Sequence, residues 1–145
     1  MTDTSALQAH LDTLWARGRD FLGTELAILG GAMTWVSERN LVSGISNAGG
    51  FGVIACGSMT PALLEAEIKA TQALTTKPFG VNLITMHPQL DELIDVCLSC
   101  NVSHIVLAGG LPPRGGIKKI RSGGAKVVCF APSLNIARLL LKIGV

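Results

Sequence analysis

The sequence predicts an α/β fold made of about five strand-helix units behind a leading helix, and three observations carry that reading. Short runs at 26–29, 53–55, 79–84, 104–108 and 126–130 are apolar on both faces, which suits strands buried in a parallel sheet. Between them, 37–48, 61–74, 88–100, 116–122 and 133–143 have the composition and length of helices. Each unit repeats at roughly 25 to 30 residues, a spacing shared by (β/α)8 barrels and by open doubly wound sheets.

The first element follows from Leu7, Leu11, Leu14, Trp15, Phe21 and Leu22, which form a helical stripe expected to pack across the core. Residues 1–25 thus read as an N-terminal helical segment and 26–145 as the βα region. Ser37 stands where the second helix should be N-capped, and Gly49 just past its end. Thr60-Pro61 opens the third helix with a capping hydroxyl and a proline at its first position. Gly123 and Gly144 mark two later helix ends, and Val145 reads as the first residue of a sixth strand. On the barrel reading the chain is truncated there, and the open edges of its first and fifth strands would need a partner (self-association among the options), a rearranged sheet or a covering helix; a non-catalytic half-barrel that pairs these edges with another chain is the alternative to an enzyme.

Composition narrows the function classes. The 145 residues are 48% hydrophobic, enough for one buried core. Twelve Lys and Arg against ten Asp and Glu leave a net charge of +2, too weak a field to hold nucleic acid by counterion release. The first 23 residues lack the basic start and apolar core of a signal peptide, and no run approaches the roughly 18 apolar residues of a membrane span. Four cysteines without a secretory signal fit a reducing cytoplasm, so the expected protein is cytoplasmic, with neither membrane nor nucleic acid as partner.

The stretch NAGGFGVIACGS, residues 47–58, has the look of a phosphate loop. Its first half, however, follows a helix and enters a strand, and a helix C-terminus presents carbonyls that repel phosphate. In parallel α/β folds ligands sit beyond the carboxyl ends of the strands, which directs attention to the segments 30–33, 56–58, 85–87, 109–112 and 132–133. In the first, Gly30, Gly31 and Ala32 leave backbone amides uncovered, and Met33 adds a soft surface suited to a flat ring. In the third strand, Asn82 shares a face with Gly80 and Ile84, opposite Phe79, Val81 and Leu83. A buried amide without a partner costs about 1–3 kcal/mol, so either neighbouring backbone or a ligand must meet it.

Other residues read as structural. Cys97 and Cys100 have redox-motif spacing but lie at a helix C-terminus, where the dipole raises a thiol pKa. His104 opens a strand and so lies at the end away from ligands, and no metal is expected. His87 follows the third strand on the ligand side, leading into the helix at Pro88, while Arg114, Lys118, Lys119 and Arg121 read as a solvated helix face.

Taken together, GGAMTWVS, LVSGISNAGGFGVIACG, PFGVNLI and VLAGGLPP resemble the nitronate monooxygenase family, formerly the 2-nitropropane dioxygenases, which are FMN-dependent TIM-type (β/α)8 barrels. Flavin enoyl reductases of fatty-acid synthesis share much of this pattern. The resemblance spans about residue 27 to the end and implies the N-terminal portion of such a barrel, with FMN as cofactor and an alkyl nitronate and O2 as substrates. It places Gly31, Ala32 and Met33 beside the flavin ring and Asn82 in a hydrogen bond to FMN. Leu29 stands where the family often has Gln, so that polar contact is absent here. The family's catalytic histidine, after the sixth strand, and its phosphate loops, after the last two, have no counterpart in these residues. By that reading the 145-residue chain binds FMN poorly and turns over little.

Overall fold

A computed structural model describes residues 4–145, so the first three residues of the expected N-terminal segment lie outside the described part. In chain order it contains α1 (Thr4–Leu22), β1 (Leu29–Gly30), α2 (Arg39–Asn47), β2 (Phe51–Ala55), α3 (Pro61–Leu74), β3 (Phe79–Ile84), α4 (Leu90–Ser99), β4 (His104–Ala108), α5 (Arg114–Ser122), β5 (Lys126–Cys129) and α6 (Leu134–Lys142). The strands pair in parallel in the order β1-β2-β3-β4-β5. Sequential order with right-handed crossovers carries successive helices to one face, whereas a doubly wound sheet reverses its order partway. The architecture is therefore a half-barrel, with β1 and β5 as its edges.

The outer face carries the main core. Ile54, Val81, Leu83, Ile105 and Leu107 pack with Val42, Leu64, Ile68, Leu93, Ile117 and Ile120 of α2 to α5. Burying one such side chain contributes about 1.5–3 kcal/mol. On the inner face, the pairing aligns Val53, Gly80, His104 and Lys126 in one row and Ala55, Asn82, Val106 and Val128 in the row above.

Helix α1 closes the lower end of this inner face. Leu22 is buried in a cluster with Phe51, Val53 and Val106. His104 meets Phe21 and Phe51 edge-on, with ring centroids 5.1 Å and 4.7 Å away. Its Nε2 donates to the Phe21 carbonyl at 2.8 Å, which requires the Nε2–H tautomer; Lys126 Nζ donates to the same carbonyl. Docking is confined to this end. Leu22 is the buried residue of α1, while Leu7 and Leu14 are exposed, so the expected apolar stripe is not covered along its length.

Most boundaries agree with the sequence reading, and the differences have local causes. The first strand is assigned at Leu29–Gly30 rather than 26–29, although Leu26 N–H already donates to the Gly49 carbonyl and Phe51 N–H to that of Ile28. Ser37 is not the cap of α2. Glu38 is, its carboxylate accepting from the amides of Asn40 and Leu41. Gly49 does end that helix, at φ +90°, with its N–H on Ser46 O and that of Gly50 on Ile45 O, a Schellman closure. Gly144 and Val145 close α6 in the same way, on Leu141 O and Leu140 O.

Candidate active site

The carboxyl ends of the five strands form one rim, and the segment after β1 is its most organised part. Ser37, buried behind it, accepts from Met33 N–H at 2.9 Å and donates to the Gly31 carbonyl at 3.2 Å. The amides of Val36 and Ser37 both donate to Met33 O. This closed turn holds Trp35 at φ +66°, a left-handed backbone that a bulky residue adopts at a cost of about 1–2 kcal/mol. Just beyond it Arg39 locks the start of α2 to α3. Its backbone N–H and guanidinium both donate to the buried Glu67 carboxylate, at 2.6 Å each.

The four residues expected at the cofactor lie on or beside the inner face. Gly31 is open, with nothing within 4 Å of where a Cβ would stand. Ala32 packs on the inner cluster of Phe51, Val53 and Val106, and Met33 is exposed at the rim. Asn82 is buried in the upper row between Ala55 and Val106. Its Nδ2 donates to the Val106 carbonyl at 3.2 Å, so neighbouring backbone meets half of the amide, while Oδ1 accepts nothing from the described residues. An apolar strip flanked by bare glycine backbone and ending in a free amide oxygen fits a flat ring with N–H donors, such as a flavin.

Other rim residues divide. Cys56 points its sulfur into the outer core, and burial pushes its pKa up to about 11, so its thiol is no part of the site. His87 Nδ1 accepts from Gln89 N–H at 3.1 Å, which ties that ring edge to the turn before α4. Cys97 and Cys100 are free thiols in the outer core, and burial raises the Cys97 pKa far above its ordinary value. His104 is pushed the other way, lowered by burial and by Lys126 against the hydrogen bond to Phe21. Among the described residues no group of acidic, histidine or cysteine side chains is arranged to hold a metal.

Two features escaped the sequence reading. Ser37 read as a helix cap because hydroxyls before helices usually are; only the fold of the turn shows it fastening the loop instead. Thr85 Oγ1, directly after β3, is buried and has no hydrogen-bond partner among the described residues. It lies against Gly109 and Gly110, which run at φ +92° and +140° after β4. Beside these glycines, a cavity of about 430 Å³ opens between the segments after β4 and β5, bounded by Leu111, Phe130, Pro132 and Ile136. A hydroxyl after an apolar run was the available signal, but its lack of a partner is a three-dimensional fact.

Known proteins share this fold. The chain is 33% identical over 135 residues to the (3aS,4S,5R,7aS)-5-hydroxy-7a-methyl-1-oxo-octahydro-1H-indene-4-carboxyl-CoA dehydrogenase of Rhodococcus jostii, covering 92% of this chain and 36% of that protein. FabK from Thermotoga maritima superposes with a TM-score of 0.85 at 35% identity, over 88% of this chain and 41% of the other. A nitroalkane oxidase from Streptomyces ansochromogenes gives 0.78 at 26% identity, over 87% and 45%. The chain thus spans between about a third and a half of these relatives. A family model for nitronate monooxygenase matches residues 16–135. With the half-barrel and these matches in agreement, the chain belongs to the nitronate monooxygenase family of flavin-dependent oxidoreductases.

Proposed function

We propose that these residues form the ring-binding side of an FMN oxidoreductase that converts alkyl nitronates and O2 to carbonyl compounds and nitrite. The observation that carries the reading is the half-satisfied amide of Asn82, buried on the inner face in the row whose apolar neighbours join Ala32. Bound FMN would supply the one-electron acceptor for an anionic nitronate. Gly31, Ala32 and Met33 would border the ring through backbone and apolar contacts, and Asn82 Oδ1 would accept from a ring N–H. Leu22 and His104 are buried at the lower end of the inner face, so a ligand would approach from the rim.

The test has two arms. Riboflavin, which carries the ring without a phosphate, is titrated into the chain and its fluorescence followed; Asn82→Leu should weaken binding about tenfold, the loss of a hydrogen bond to a buried partner. The complete polypeptide in which these residues occur is then assayed for nitrite release from an alkyl nitronate. A folded polypeptide that takes up no flavin sinks the reading. A second reading, reduction of an enoyl thioester with NADH or NADPH, is favoured by the apolar cavity beside the strip and by the CoA-thioester relative. It wins if the flavin-loaded polypeptide consumes nicotinamide with an enoyl thioester and ignores nitronates.

A further inference from the structure

The loop after β1 is fastened from outside the site. Ser37 holds it by its hydroxyl, and Ser37 is held in turn, its carbonyl accepting from Ala55 N–H at 3.0 Å where β2 ends. Two residues on, Arg39 N–H donates to Glu67 Oε1 of α3 at 2.6 Å. The Arg39 guanidinium grips the same carboxylate, with Nη2 on Oε2 at 2.6 Å and Nε on Oε1 at 3.3 Å. The next two amides of α2, those of Asn40 and Leu41, donate to Glu38. Each of the first three amides of the helix is thus taken by a carboxylate, and Glu67 brings its own from another element. Packing gives no reason for an acid there. Glu67 lies on the buried face of α3 with Leu64, Ile68 and Thr71, and its side chain is 6% exposed against 44% for Arg39. A buried ion pair adds little net stability over apolar residues of similar volume, and its best-attested use is to fix one geometry. The geometry fixed here is the entry of α2. Farther along, Val42 already rests on β2 at Gly52, so the body of the helix does not depend on Glu67.

We infer that Glu67 is a positioning residue for the loop that borders the ring: from the outer helix layer it holds the first turn of α2, and through Ser37 it sets where Gly31 and Met33 stand. The link runs from the Glu67 carboxylate to Arg39 N–H, and from the Ser37 hydroxyl to Met33 N–H and the Gly31 carbonyl. The loop itself offers little other support. Gly31 has nothing within 4 Å of where a Cβ would stand, Met33 and Trp35 are exposed, and Trp35 keeps its left-handed backbone. Without Glu67 the first turn of α2 frays and the loop loses its footing at Ser37, while the core between sheet and helices keeps its packing. The inference rests on the proposed function in one respect, that this loop borders the ring; the mechanical link from Glu67 to Met33 stands on the hydrogen bonds alone.

The experiment follows variants of the 145-residue chain by urea midpoint, by amide hydrogen exchange at Met33 and by riboflavin titration. Glu67→Leu removes the acceptor, and Arg39 is exposed enough to turn to solvent, so no charge is stranded in the core. Glu67→Gln keeps one acceptor oxygen for Arg39 N–H. Ile120→Val, in the core on α5 and away from the loop, is the stability control. Met33 should exchange at least about tenfold faster in Glu67→Leu and stay within about threefold of the parent in Glu67→Gln. Riboflavin should weaken about tenfold in the first and less than about threefold in the second. Ile120→Val should lower the midpoint and leave both other readouts at their parent values. If Glu67→Leu does not fold, the double variant Glu67→Leu with Arg39→Leu, which carries no charge in the pair, takes its place with the same expectations. Parent-like exchange at Met33 without the Glu67 carboxylate overturns the inference. So does an Ile120→Val that speeds Met33 as much as Glu67→Leu for the same loss of midpoint, because Glu67 then acts through global stability. Failure of the functional reading looks different: Met33 exchange responds as expected, while riboflavin binds every variant and the parent alike or binds none of them.

Discussion

Replacing Ser37 by alanine should release the loop after β1 without unfolding the half-barrel. The Ser37 hydroxyl makes two hydrogen bonds, to Met33 N–H and to the Gly31 carbonyl. Each contributes about 1 kcal/mol net, so the pair is worth about 2 kcal/mol. Against this stands the left-handed backbone of Trp35, which costs about 1–2 kcal/mol. With the hydroxyl gone the two quantities no longer favour the closed turn, and Trp35 should move to ordinary negative φ in a substantial share of molecules. The core beneath is untouched, because the hydrophobic contacts of α2 run through Val42 and not through this loop. Because Trp35 is already exposed, the assay is amide hydrogen exchange at Met33, whose N–H the Ser37 hydroxyl accepts, together with riboflavin titration. Faster exchange at Met33 and riboflavin binding weakened several-fold are expected, with the unfolding free energy in urea lowered by no more than about 2 kcal/mol. Unchanged exchange at Met33 in Ser37→Ala would refute the reasoning, since the turn would then hold its strain without the hydroxyl.

Three further outcomes follow from the packing. His104 has its pKa lowered in the fold, so the unfolded chain binds the extra proton first as pH drops: stability should be full above about pH 6.5 and fall below it by up to about 1.4 kcal/mol per pH unit until the folded pKa is reached. Urea unfolding at about pH 7.5 and 5.5 measures this, and a slope that persists in His104→Gln assigns the titration elsewhere. Gly52→Ala should be far more damaging than its size suggests, by about 3 kcal/mol, because the new Cβ would lie 2.4 Å from the Val42 carbonyl oxygen and force α2 off the sheet; a melting temperature within a degree or two of the parent contradicts the close approach. Cys56 and Cys129, with pKa values of about 11, and the buried Cys97 should alkylate slowly at pH 8, and rapid labelling of the folded chain by iodoacetamide would show a more open core.

The fold was legible because its evidence is local and repeated. Apolar runs of strand length, helices between them and caps such as Thr60-Pro61 each restate the same order, and the structure keeps all five units. The faces were legible too, since strict alternation in 79–84 sends Val81 and Leu83 to the outer core and Asn82 to the inner row. What sequence reasoning missed depends on partners far apart in the chain. Leu7 and Leu14 form a stripe as regular as any core helix, and nothing in the sequence says that only the far end of α1 meets the sheet. Ser37 has the composition of a cap and a different job, because Glu38 competes for the same amides and wins them. The stretch NAGGFGVIACGS divides likewise: Gly49 turns the chain, Gly52 lets α2 touch β2, and Cys56 faces away from the rim.

The two ends of the half-barrel treat their polar groups in opposite ways. At the lower end the groups are used up within the fold. Ser46 Oγ donates to the Pro78 carbonyl and accepts from Gly52 N–H, His104 bonds Ser103 and the Phe21 carbonyl through its two nitrogens, and Lys126 reaches that same carbonyl. At the upper end Asn82 Oδ1, Thr85 Oγ1 and the amides of Gly109 to Leu111 have no partner among the described residues. Of these, Gly109, Gly110 and Leu111 are exposed and Thr85 Oγ1 is buried; leaving that hydroxyl unpaired costs about 1–3 kcal/mol that an apolar residue would avoid. A substitution at the lower end should therefore register first as lost stability. Removing a polar group at the upper end, as in Thr85→Val, should leave stability unchanged or raised and register as lost ligand affinity, the pattern expected where a fold has traded stability for a binding site.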